Sequence, residues 1–154
     1  MAQDIINVFV SHYHNDEEHI TKMKDLLGDK FNIRNYSVTS DKYNNAKSEE
    51  YIESMLRPLI NQAGTFICLI GPHTHDSKWV NWEIEQAIKQ GKRIIGVYTW
   101  GAKDSDIPPA LEDGADAMVG WNHDSIIDAI NGKNSFTNAD GSTCPNVGVA
   151  RVTC

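Results

Sequence analysis

The run Thr65-Phe66-Ile67-Cys68-Leu69-Ile70 constrains this chain more than any other stretch. It is apolar at every position after Thr65, so an extended strand here exposes an apolar face on both sides. Such a strand belongs inside a parallel sheet, with helices covering each face. Parallel neighbours cannot be joined by a tight hairpin and need a crossover, usually a helix. The flanking segments must therefore supply helices, and they carry helical periodicity.

Residues 5–10, 31–38, 92–99 and, more weakly, 117–121 have strand composition or period-two alternation. Between them, residues 16–27 form an amphipathic helix closed by Gly28, and residues 48–63 form a second, in which Pro58 is expected to kink or break the helix. A third helix spans 79–90, capped by Asp76 or Ser77 and ended by Gly91. Residues 100–111 read as a loop holding Pro108-Pro109 and at most one helical turn; Asn122 or Asp124 caps a last helix over 125–130. This β/α alternation predicts a flavodoxin-like three-layer fold. Its five-stranded parallel sheet has order 2-1-3-4-5 with helices on both faces. From Gly132 the composition shifts to Gly, Asn, Ser and Thr. Residues 1–131 are thus expected as one domain and 132–154 as a Gly/Asn-rich appendage, with 147–152 offering a further strand.

The 154 residues carry a formal net charge of −7 and their basic residues are scattered. Nucleic acid is not an expected partner, because phosphate neutralisation needs clustered Lys and Arg. The N-terminus has no basic, signal-like start, and no window approaches the ~18 apolar residues of a membrane span. A cytoplasmic protein without membrane contact is expected. Cys68 lies in the apolar strand, and Cys144 and Cys154 lie in the tail; an odd count of three fits reduced thiols.

In this fold, ligands bind outside the carboxyl ends of the strands, where the first and third are neighbours. Ser11 to His14 and Gly71 to His75 line that place, beside the helix over 79–90. On this helix Val80, Ile84, Ala87 and Ile88 make the expected buried stripe, and Trp79 and Glu83 lie one turn apart on its flank. Trp82 points away, which predicts an exposed contact for a partner. A carboxylate beside an aromatic ring suits chemistry on a cationic ring or sugar, whereas Glu is also a common helix-surface acid and Trp a common core filler. A phosphoacceptor domain needs an acidic pair after the first strand and an Asp after the third; Ser11-His12 and Gly71-Pro72 stand there instead. Neither a flavin phosphate loop nor a Walker or GxGxxG pattern is present. The pairs His12/His14 and His73/His75 raise zinc as an alternative, but no metal is expected.

The strand Val8-Phe9-Val10-Ser11, the Trp79-x-x-x-Glu83 helix preceded by Ser77, and Arg34-Asn35-x-Ser37 together resemble a TIR domain, in the bacterial branch that includes the Thoeris anti-phage proteins. The resemblance covers roughly residues 5–130 and rests on order and spacing, not on one specific motif. It implies that Glu83 is catalytic and that the chain cleaves the ribose–nicotinamide bond of NAD⁺, as substrate and without a cofactor. ADP-ribose or a cyclic ADP-ribose-type signal in anti-phage defence would result. The resemblance also implies substrate contacts from Ser11, His12, Tyr13, Asn35, Ser37 and Trp79, with Ser11 and the loop amides meeting phosphate. Expected partners are other copies of the chain, through a loop over 39–47, and a downstream effector that senses the product. Two alternatives stand beside this reading: a non-catalytic TIR adaptor acting by homotypic assembly, and a nucleoside N-glycosidase or deoxyribosyltransferase-like enzyme.

Overall fold

The computed structural model describes residues 6–12, 17–28, 31–34, 49–71, 74, 78–99, 103 and 106–137. Five strands, β1 (Ile6–Ser11), β2 (Phe31–Arg34), β3 (Thr65–Ile70), β4 (Arg93–Tyr98) and β5 (Ala117–Val119), form one sheet. Its order is β2-β1-β3-β4-β5, and every pairing is parallel. The helices are α1 (Glu17–Leu27), α2 (Glu49–Gln62), α3 (Lys78–Lys89), α4 (Pro109–Gly114) and α5 (His123–Ile130). The flavodoxin-like arrangement expected from the alternation is the one observed.

The pleat sorts the core into two clusters. Phe9, Phe66, Cys68, Ile70, Ile94 and Tyr98 face one way and meet Leu56 and Ile60 of α2, Val80, Ile84 and Ala87 of α3, and Leu111 of α4. Val8, Val10, Ile67, Leu69, Ile95 and Val97 face the other way and meet Met23 and Leu27 of α1 and Ile126, Ala129 and Ile130 of α5. All six residues of β3 are buried, as a strand covered on both faces requires. Removing each such large side chain from water contributes roughly 1.5–3 kcal/mol. Phe9 and Phe66, partners across β1 and β3, stack with centroids 5.5 Å apart and planes at 10°.

Local chemistry explains the element ends. Gly28 and Gly91 take φ of 77° and 71°, a left-handed geometry in which glycine avoids the Cβ clash. The Lys92 N–H then reaches back to the Ala87 carbonyl at 3.0 Å, closing α3. Asn122 is the cap of α5, its side chain accepting from the Ser125 N–H at 3.1 Å. Glycine serves a different purpose at Gly96 in β4. A Cβ there would run into the Met118 sulfur, so the missing side chain lets Met118 and Leu111 close over the strand.

Several expectations need correction. Pro58 neither breaks nor ends its helix; α2 runs through it from Glu49 to Gln62, with Leu56 and Ile60 fully buried on either side. The turn near Pro108-Pro109 is a helix, α4, displaced to Pro109–Gly114 because Pro109 takes its first position, where no N–H is needed. The last strand stops at Val119, since Gly120 already accepts a turn bond from the Asn122 N–H. Beyond α5 the chain returns to the sheet: the Met118 N–H donates to the Ser135 carbonyl and the Thr137 N–H to the Met118 carbonyl, both at 2.8 Å. Phe136 is buried in the α2–α3–α4 cluster. Residues 138–154, including Cys144, Cys154 and the suggested strand over 147–152, lie outside the described residues.

Candidate active site

The site begins with the pleat of β1. Side chains alternate along a strand, so Ser11 shares the face of Phe9, the one covered by α2 and α3. Ser11 is the last residue of β1 and aligns with Cys68 of β3, which puts it at the carboxyl end of the central strands. On α3, Val80, Glu83, Ile84 and Ala87 stand at i, i+3, i+4 and i+7, the spacing of a core-facing stripe. All four are buried, with Glu83 at 0% exposure, whereas Ile88, expected in the stripe, is 42% exposed. Glu83 holds a core position that an apolar residue would ordinarily fill.

The two faces meet in one contact. The Ser11 hydroxyl donates to Glu83 Oε1 at 2.8 Å, and both side chains are wholly buried. Glu83 Oε2 is also buried and has no hydrogen-bond partner among the described residues. A carboxylate removed from water with one oxygen unsatisfied is strongly disfavoured. Burial accordingly pushes the Glu83 carboxyl up from its ordinary 4.5 to about 8, with the Ser11 hydroxyl bond pulling the other way. At neutral pH the resting side chain is therefore mostly a neutral acid.

The carboxyl ends of β3 and β4 are held by backbone anchors. Gly71 N–H donates to Thr74 Oγ1 at 2.8 Å, and Thr74 N–H donates back to the Gly71 carbonyl at 3.1 Å. Thr99 gives both its N–H and its hydroxyl to the Ile70 carbonyl at 2.9 Å. Thr74 and Thr99 were not singled out in the sequence. Their signal is a threonine just past an apolar strand, where a hydroxyl can stand in for the missing ladder partner. His12, beside Ser11, is buried as well.

The structure thus brings Ser11, His12 and Glu83 to one end of the sheet. Trp79, one turn before Glu83, is half-buried against the same core cluster. Its ring meets Trp82 edge-on, with centroids 5.7 Å apart and planes at 75°. Trp82 is not the exposed contact expected of it. It packs partly buried on the core, and the Arg57 guanidinium of α2 lies 5.6 Å above its ring. The cause is α2, which runs alongside α3 and covers the side that isolated-helix geometry leaves open. Tyr13, Asn35, Ser37, His14, His73, His75, Trp100 and the loop over 39–47 lie outside the described residues. No group of His, Cys, Asp and Glu fit to hold a metal occurs among the described residues.

A separate cleft of 510 Å³ lies at the other end of the sheet, where Lys92, Arg93 and Asp116 line it. Its charged groups are already engaged. Lys92 donates to the Asn61 carbonyl, Arg93 to the carbonyls of Ala129 and Lys133, and Asp116 accepts from the Ile94 N–H.

Sheet order and sealed carboxyl define the class: a flavodoxin-like α/β domain with an acid at its switch point. The family model described as "Thoeris protein ThsB, TIR-like domain" matches residues 9–104, more than half of the chain, and the chain belongs to that family. No curated protein matches it. Among solved structures, it is similar to a 2-deoxyribosyltransferase from Bacillus psychrosaccharolyticus, with 16% identity and a TM-score of 0.57 over 78% of this chain and 89% of the other. A CMP N-glycosidase from Clostridium botulinum, BcmB, gives 18% identity and 0.50 over 81% and 98%. A pilus assembly-related protein from Burkholderia pseudomallei gives 13% and 0.52 over 85% and 90%. At these identities the likeness is one of fold. Among the described residues no helix is long and apolar enough to cross a membrane.

Proposed function

We propose that this chain breaks the bond between ribose and nicotinamide in NAD⁺, with Glu83 as the catalytic carboxylate, and that the product is a signal in anti-phage defence. The observation that carries the reading is the buried Glu83–Ser11 pair at the carboxyl ends of β1 and β3 in a TIR-like domain. The C1′–N bond pair leaves with the pyridinium ring, which departs as neutral nicotinamide and needs no proton. Positive charge develops on the ribose, and a carboxylate beside it stabilises that charge most where water is excluded. The cationic ring itself favours loss of the Glu83 proton, as a nearby positive charge does for any carboxyl. Water as acceptor gives ADP-ribose and a proton. A hydroxyl or ring nitrogen of the same molecule gives a cyclic product and a proton, suited to a downstream effector. His12 and Trp79 are proposed substrate contacts on this reading, as are Tyr13, Asn35 and Ser37, and the working form is proposed to be a homo-oligomer in the cytoplasm.

The test is incubation with NAD⁺, with and without extract from phage-infected cells, followed by mass spectrometry of the products. Nicotinamide release that is lost in Glu83→Gln supports the reading; release that survives the substitution removes Glu83 from the reaction. One observation favours a second reading. A neutral Glu83 acid can protonate a departing base, as cleavage of an uncharged nucleoside requires, and two fold neighbours are named as nucleoside-directed enzymes. Base release from nucleosides or CMP, with NAD⁺ left intact, selects that reading. No turnover on either substrate leaves the adaptor.

A further inference from the structure

We infer that Ser11 is a positioning residue for Glu83: its hydroxyl fixes Oε1 and so sets the orientation of the carboxyl, leaving Oε2 as the oxygen without a partner among the described residues. The inference rests on the proposed role of Glu83 and replaces the expected contact between Ser11 and phosphate. Three observations carry it. The Ser11 hydroxyl has a single proton, and that proton is given to Oε1 at 2.8 Å. Both side chains are fully buried, so water does not compete for the bond, and a donor so engaged is not free for a phosphate oxygen. Finally, the bond joins two rigid elements: β1 is locked between β2 and β3, and α3 is seated by Val80, Ile84 and Ala87. A hydroxyl fixed on a strand sets the rotamer of a carboxyl on a helix. The two oxygens of Glu83 then divide their tasks, since Oε2 alone lacks a partner among the described residues.

The arrangement predicts how substitution separates binding from turnover. In Ser11→Ala, kcat for NAD⁺ falls roughly ten- to a hundred-fold, the usual consequence of losing one hydrogen bond to a charged group. KM stays within about twofold, because the lost interaction aligns the carboxylate and does not bind substrate. Ser11→Thr keeps the donor and restores most of the loss. A readout independent of turnover comes from carbon-13 NMR of carboxyl-labelled glutamate, with the Glu83 signal assigned by its disappearance in Glu83→Gln. Ser11→Ala moves the Glu83 titration to higher pH, because the bond that favours the charged form is gone. A Glu83 titration that is the same in Ser11→Ala, or a KM that rises while kcat holds, overturns the inference and returns the hydroxyl to the substrate. If the wild type leaves NAD⁺ untouched while the titration still moves in Ser11→Ala, the positioning role stands and the choice of substrate falls.

Discussion

Glu83 makes the stability of this domain depend on pH in a direction opposite to that of most carboxylates. Its carboxyl titrates near 8 in the fold against an ordinary 4.5, so between those values the folded chain holds a proton that the unfolded chain has released. Stability then falls as pH rises through this window and levels off above about 8. The interval from 4.5 to about 8, at about 1.4 kcal/mol per pH unit, amounts to roughly 5 kcal/mol across the window. That is a large share of the 5–15 kcal/mol typical of a domain. Glu83→Gln removes the titration while keeping an oxygen for the Ser11 hydroxyl. The check is urea unfolding of both proteins at half-unit steps from pH 5 to 8.5. With a slope of about 2 kcal/mol per molar urea, the wild-type midpoint should drop by roughly 2 M relative to the variant across the series. Taking the difference isolates the part of the pH dependence that the Glu83 carboxyl contributes. A wild-type-minus-variant difference that is flat with pH would refute the assignment of a neutral, desolvated acid to Glu83.

Turnover should show the same group from the other side. If the ionised carboxylate does the work, kcat/KM for NAD⁺ rises with pH toward about 8 and then flattens; a profile flat from pH 6 to 9 argues against it. Gly96→Ala should destabilise by about 1–3 kcal/mol, since the new methyl displaces Met118 and Leu111 in a filled core. Thermal unfolding measures this, and an unchanged midpoint would mean that the strand can shift freely. Phe136→Ala should cost about 3 kcal/mol and speed hydrogen exchange at the Met118 and Thr137 amides, whose bonds it anchors; unchanged protection there would show that residues 135–137 hold without the ring.

The sheet order was legible because β3 is apolar on both faces and each neighbouring strand is separated by a helical period. These are local signals. That the helix carrying Glu83 lies beside Ser11 at the carboxyl ends of the strands was legible for the same reason. How deep Glu83 lies was not read, although the spacing of Val80, Glu83, Ile84 and Ala87 contained it. An acid was assigned to the flank by residue type, and Ile88 took its place in the stripe. The Ser11–Glu83 bond spans 72 residues and follows from strand register, which no local pattern carries. Trp82 was misread because helix geometry alone says nothing of α2 lying beside it.

The segment that returns along β5 has a consequence for how copies of this chain can join. In a three-residue parallel strand, alternate residues point their backbone groups to opposite sides. On the outer side of β5 both groups of Met118 are taken, by Ser135 and Thr137. With both groups of Met118 engaged, a strand from another molecule finds no free partner at that residue of β5, where edge-to-edge growth would otherwise begin. While 135–137 stay seated, no strand from another molecule can take their place on Met118. Release of this short segment would convert a closed margin into an adhesive one.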